Sequence, residues 1–148
     1  MIRRIHHIAV AVEALEPVAD SLTTVLDRDP GEPEDVTAAR TVAQFFTVGE
    51  SRLELVAPMG EDSPIGKYLA RRGPGIHHIC LEVDDLAAEV ERMRGAGLRF
   101  VTDEIQSGAH GSRIIFLHPK STGGVLIELQ QAADRGAERP IIEVDAVE

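Results

Sequence analysis

Residues 4–18, RIHHIAVAVEALEPV, are answered by residues 75–90, GIHHICLEVDDLAAEV. In each stretch a His-His pair sits in an alternating apolar run, and an acidic helix start follows. A pattern written twice in one chain sets the architecture before any single residue does. In the first copy, Ile5 to Val12 alternates as a strand, and a helix is predicted from about Glu16 to Leu26. The turn-rich DRDPGEPED closes it, and TVAQFFTV and SRLELVAP, separated by Gly-Glu, read as a hairpin. In the second copy, Ile76 to Val83 is the strand. DDLAAEVERMRGAG is a helix with Asp84 or Asp85 as N-cap and Gly95 or Gly97 at its end, and SRIIFLHP and GVLIELQQ are closing strands.

A connector, PMGEDSPIGKYLARRGPG, lies between the copies; it predicts a helix from about Pro64 to Arg71, started by Ser63 with Pro at its first position. The expected organisation is a single domain over 1–148: module one at about 3–58, connector at about 59–74, module two at about 75–131 and an acidic tail at 132–148. The tail segment PIIEVDAV has the pattern of an edge strand but little core-forming material around it.

Composition narrows the classes. At 148 residues and 43% hydrophobic content the chain has the size and make-up of one globular domain. A formal net charge of −10, with no dense Lys or Arg block, carries no electrostatic footprint for nucleic acid or an anionic membrane. The apolar run Ile8 to Val12 is far too short to span a bilayer, and no signal-peptide pattern is seen. The lone cysteine, Cys80, cannot form an internal disulfide, which fits a reducing compartment. A cytoplasmic protein acting on small molecules is expected.

Alternation along a strand sorts the histidines. His7 shares a face with Ile5, Ala9 and Ala11, and His78 with Ile76, Cys80 and Glu82. His6 and His77 fall on the faces carrying Ile8, Val10 and Val12, or Ile79, Leu81 and Val83, so both are expected to face helices. The last strand of each half repeats the device with an acid: Glu54 stands between Leu53 and Leu55, and Glu128 between Ile127 and Leu129. Each acid must point away from its flanking core residues. One His and one Glu per half, 47 residues apart in the first and 50 in the second, suit a shared divalent cation with nitrogen and oxygen donors. The other reading of the same residues is two hydrogen-bonded strand histidines and two solvated strand glutamates.

IHHIAVAV, LELVAP followed by EDSPIGKYL, and GIHHICLEVDDLAAEVERMRGAGLRFVTDEIQSGAHGSRIIFLHPKSTGGVLIELQQ together carry a resemblance. They are similar to the methylmalonyl-CoA epimerases of the vicinal oxygen chelate superfamily, which includes glyoxalases, bleomycin resistance proteins and dioxygenases. The likeness covers about residues 3–131, is strongest from Ser63 onward, and is weak between Asp29 and Gln44. It implies an α+β fold of two β-α-β-β-β modules forming an open, U-shaped mixed sheet around a metal site. The implied ligands are His7, Glu54, His78 and Glu128, holding cobalt, manganese, zinc, nickel or magnesium; some relatives have Gln at the position of Glu54.

The chemistry implied is exchange between (2R)- and (2S)-methylmalonyl-CoA through removal and return of the α-proton, with stabilisation of the enolate charge by the metal and Glu128 as a base. Arg113, His118 and Lys120 are the expected contacts to the acyl-CoA thioester, and a homodimer is expected. Some bacterial relatives carry a further Glu, proposed as a base, where this chain has Ala43 beside Gln44. Neither residue can abstract a proton. Rival readings on the same fold are a glyoxalase-type isomerase, a dioxygenase, which would need only two His and one carboxylate, and a metal-free small-molecule-binding protein.

Overall fold

The computed structural model describes residues 1–133; the expected tail beyond Ala133, with its edge strand, lies outside the described residues. The class is α+β, as expected, with three α-helices and eight strands. The chain groups into two compact units, one of Ile8–His77 and one of Met1–His7 with the residues from His78 onward. The first strand, β1 (Ile2–Ala11), therefore contributes to both.

In the unit of Ile8–His77, α1 (Leu15–Leu26) is followed by β2 (Glu34–Val36), β3 (Thr41–Val48), β4 (Ser51–Pro58) and α2 (Pro64–Arg72). Strand order is β2-β3-β4-β1. The β3–β4 hairpin is in register from Thr41↔Pro58 to Val48↔Ser51. Gly49 enters its two-residue turn at φ +60°, a conformation that strains any side chain with a Cβ. One core forms where α1 lays Val18, Ala19, Leu22 and Leu26 on Phe46, Leu55 and Ala57. A second forms where α2 brings Ile65, Tyr68 and Leu69 to Ala11, Ala43 and Val56. Ser63 caps α2 as expected, its hydroxyl accepting the Gly66 N–H at 3.1 Å.

The other unit runs through β5 (Gly75–Val83, from His78), α3 (Leu86–Gly95), β6 (Gln106–Ser107), β7 (Arg113–Leu117) and β8 (Ile127–Gln131), ordered β1-β5-β8-β7-β6. The β5–β8 pair is parallel, and β7 pairs antiparallel with both β6 and β8. Asp85 caps α3 by accepting the Ala88 N–H at 3.1 Å, so of the two aspartates the second is the cap. Leu86, Val90 and Met93 of that helix form a core with Val83, Ile115, Leu117 and Leu129. The expected strands SRIIFLHP and GVLIELQQ are shorter than their apolar patterns. Pro119 opens a 3-10 turn after β7, and β8 begins only at Ile127.

Phe46 is fully buried against α1, and no other aromatic side chain belongs to that core. Phe46→Ala is expected to lower unfolding free energy by about 3–5 kcal/mol in urea denaturation; a loss below about 1 kcal/mol would show that α1 does not depend on that contact.

Candidate active site and metal centre

Three sequence-predicted residues meet within one unit. His7 comes from β1, His78 from β5 and Glu128 from β8, and all three are buried. His7 Nε2 lies 3.1 Å from His78 Nε2, and Glu128 Oε1 lies 3.5 Å from the first and 3.9 Å from the second. Donors sharing one ion at about 2.1 Å stand about 3.0–3.4 Å apart across octahedral or tetrahedral angles. Two imidazole nitrogens and a carboxylate oxygen near that spacing form a cluster able to hold a divalent cation.

The local sequence explains the convergence. β5 and β8 pair with Cys80 opposite Glu128 and Leu81 opposite Leu129. Leu129 and Val83 are anchored in the core under α3, so strand alternation turns His78, Cys80, Glu128 and Gln130 to the opposite face. There the Cys80 thiol is 3.7 Å from Gln130 Oε1. The edge of the Phe116 ring meets the His78 imidazole, with centroids 5.7 Å apart. Burial pushes the Glu128 carboxyl above its ordinary pKa, and the smaller effect of the Cys80 hydrogen bond pulls it down. A cation bound by the two imidazoles would favour the ionised form.

One face assignment fails. Alternation put His6 on the face away from His7, but His6 and His7 are consecutive buried residues, and their Nδ1 atoms are 2.8 Å apart. The donor atoms of His6, His7 and Cys80 all lie within 4.8 Å of one another. The alternation rule requires a regular strand, and the in-and-out pattern breaks at this pair. Arg4, two residues before His6, reaches Glu82 on the face of His78 at 2.9 Å, which marks the same break. His77 does meet a helix: its ring packs edge-on against Tyr68 of α2 at 4.7 Å, and burial lowers its pKa.

Glu54 occupies the middle of β4, half-buried, with Phe45 opposite it in the hairpin. Two residues earlier Arg52 is buried, its guanidinium 3.7 Å above the Phe45 ring, a cation–π contact that the sequence did not announce. Arg113 is exposed at the start of β7. His118 is half-buried and accepts the Lys120 N–H through Nδ1 at 3.1 Å, capping the turn in which Lys120 itself is exposed. Ala43 is 1% exposed and packs with Ala11, Val56 and Ile65, so the position of the relatives' extra acid is apolar here. Among the described residues no helix is long and apolar enough to cross a membrane.

Residues 6–116 match the Glyoxalase/Bleomycin resistance protein/Dioxygenase superfamily. The ethylmalonyl-CoA/methylmalonyl-CoA epimerase of Cereibacter sphaeroides is 41% identical over 133 residues, covering 88% of this chain and 99% of that protein. The chain belongs to the methylmalonyl-CoA epimerase family. Solved structures of family members share the fold. The Streptomyces coelicolor methylmalonyl-CoA epimerase in complex with 2-nitronate-propionyl-CoA is 33% identical, with a TM-score of 0.79 over 90% of this chain and 99% of that one. A methylmalonyl-CoA epimerase in complex with methylmalonyl-CoA and ammonium is 32% identical, with a TM-score of 0.80 over 95% of this chain and 100% of that one.

The environment of Glu128 has a measurable consequence. A carboxyl whose pKa rises on folding favours the fold fully at pH below its ordinary value of 4.5, and that contribution is lost as pH climbs through the raised value. Glu128→Gln removes the titration. In metal-free protein, the unfolding free energy of Glu128→Gln relative to wild type should therefore improve from about pH 4 to about pH 8. A difference that stays constant across urea melts in this range would show that Glu128 is not strained by burial.

Proposed function

We propose that the chain interconverts the two C2 epimers of methylmalonyl-CoA, with His7, His78, Glu128 and Glu54 as ligands of a divalent metal and Glu128 also as a proton-transferring base. The observation that carries this reading is the convergence of the His7, His78 and Glu128 donors in a chain 41% identical to a named epimerase. Glu54 joins them as the first-half counterpart of Glu128, set between two apolar neighbours in the same way. Cobalt, manganese, zinc, nickel and magnesium all remain in scope for this nitrogen and oxygen donor set.

When bound, such a metal supplies Lewis-acid stabilisation of negative charge on the thioester and carboxylate oxygens. The protein's part is to hold and move the proton. The C2 proton lies between a thioester and a carboxylate, and the carboxylate that takes it works best when its pKa is raised toward the operating pH. In the metal-free protein burial shifts Glu128 in that direction, and a cation bound beside it would act against the shift. Phe116 stands opposite Glu128 in the β7–β8 pair, and Leu129, next along β8, fixes the strand in the core. Return of the proton to the opposite face needs a second donor, and Ala43 cannot be that donor.

Arg113, His118 and Lys120 are assigned to the coenzyme A portion, because they place cationic or hydrogen-bonding groups along β7 and its following turn in a chain of net charge −10. A cytoplasmic homodimer completes the reading, and light scattering tests the assembly.

In heavy water, methylmalonyl-CoA should exchange its α-proton in the presence of the metal-loaded protein, whereas propionyl-CoA, which lacks the free carboxylate, should exchange far more slowly. Conversion of a glutathione hemithioacetal without methylmalonyl-CoA exchange would instead establish the glyoxalase-type isomerase.

Site variants divide the roles. His7→Ala and His78→Ala should lower metal content much more than His77→Ala. Glu54→Gln keeps an oxygen donor and should keep metal and much of the activity. Glu128→Gln should lose about 10²–10⁴-fold in exchange rate per bound metal. Equal rates in the two glutamine variants would place the base elsewhere.

A further inference from the structure

The His-His pair is written twice, yet the two copies are used differently. The ring of His77 turns to Tyr68 on α2. The ring of His6 turns to its neighbour: Nδ1 of His6 stands 2.8 Å from Nδ1 of His7, with the imidazoles edge to face at 77°. The opposite nitrogen of His7, Nε2, is the one that approaches His78 and Glu128. One imidazole thus grips the far side of another whose near side faces the cation-binding cluster.

The proton count across this contact is constrained. A neutral His7 that offers its Nε2 lone pair to a cation must carry its proton on Nδ1. Nδ1 of His6 is within reach of that proton and can accept it only when His6 carries its own proton on Nε2. The tautomers of the two rings are therefore coupled. His6 is 6% exposed, so its ring is packed in place and water has little access to compete for the bond.

We propose that His6 is a positioning residue for the metal site: by accepting the Nδ1–H of His7 it fixes the tautomer and ring angle of His7, and holds Nε2 toward His78 and Glu128. The proposal rests on the assignment of His7 as a ligand. Outer partners of this kind ordinarily change metal affinity by about 10–100-fold when removed. The usual partner is a carboxylate, a backbone carbonyl or water; here the neighbouring imidazole takes that place. In β5 the ring of His77 instead packs against Tyr68 of α2.

Metal affinity, read on metal-free protein titrated with Co²⁺ by visible absorption, separates positioning from packing. His6→Phe keeps a ring and removes the acceptor. His6→Asn removes the ring and keeps an acceptor, since its Oδ1 stands as many bonds from the backbone as Nδ1 does. His6→Phe should bind Co²⁺ about 10–100-fold more weakly than wild type, whereas His6→Asn and His77→Phe should stay within a few-fold. Wild-type affinity in His6→Phe, or an Asn variant weakened as much as the Phe variant, would overturn the proposal in favour of simple packing. A cobalt–thiolate charge-transfer band that disappears in Cys80→Ser would overturn it differently, by placing the ion among His6, His7 and Cys80.

The imidazole nitrogen resonances of metal-free wild-type protein give an independent reading if a variant fails to fold. His7 should carry its proton on Nδ1 and His6 on Nε2. The opposite tautomer at His7 would refute the positioning role. A wild-type chain that takes up no Co²⁺ but shows these tautomers would fail as a metalloenzyme while retaining the His6–His7 contact.

Discussion

The parallel pairing of β5 with β8 is the constraint on which the candidate site depends. Its register sets Cys80 against Glu128 and Leu81 against Leu129. A slip of one residue would send the carboxylate into the core and Leu129 out to the opposite face. What resists the slip is apolar. Leu129 of β8 and Ile115 of β7 are completely buried in one core with Leu86 of α3, and burial of each such side chain is worth about 1.5–3 kcal/mol. The hydrophobic face fixes the register, and the register fixes the donors. Capping helps from a distance: Gln131, at the end of β8, accepts the Leu86 N–H at 2.8 Å and ties the strand to the start of α3.

Electrostatics work against the fold at the same place. The partly buried Arg4–Glu82 pair joins a cation to an anion at 2.9 Å, so its desolvation is matched by a partner. Glu128 has no such cationic partner among the interactions described: its neighbours are two imidazoles, a thiol and the Phe116 ring. A carboxylate in that setting weakens the metal-free protein and gains value only when a cation joins it. The chain spends stability here and recovers it in the apolar cores around Phe46 and Leu129.

Period-two patterning was enough to read β1, β3, β4, β5, β7 and β8, and cap chemistry was enough to start α2 and α3. The short strands β2 and β6, of three and two residues, are too brief to show a period, and resemblance alone implied a fourth strand in each half. The start of α1 carries no side-chain cap, since Ala14 precedes it, and it was legible only from the apolar spacing of Leu15, Val18, Leu22 and Leu26. Site reading had the same character. Alternation found His7, His78 and Glu128 because each sits beside residues that must enter a core. It misplaced His6 because the strand loses its alternation at that pair, and nothing in the letters HH distinguishes the copy that breaks the pattern from the copy that keeps it.

Sequence symmetry therefore does not extend to chemical symmetry. The two His-His pairs and the two glutamates invite the reading of one motif used twice. The surroundings of each copy decide otherwise: Tyr68 meets the ring of His77, whereas the ring of His6 meets that of His7. Ala43 extends the argument. The apolar cluster it forms with Ala11, Val56 and Ile65 leaves no acid at a position where some relatives have one, and a carboxylate there would have to be desolvated against α2.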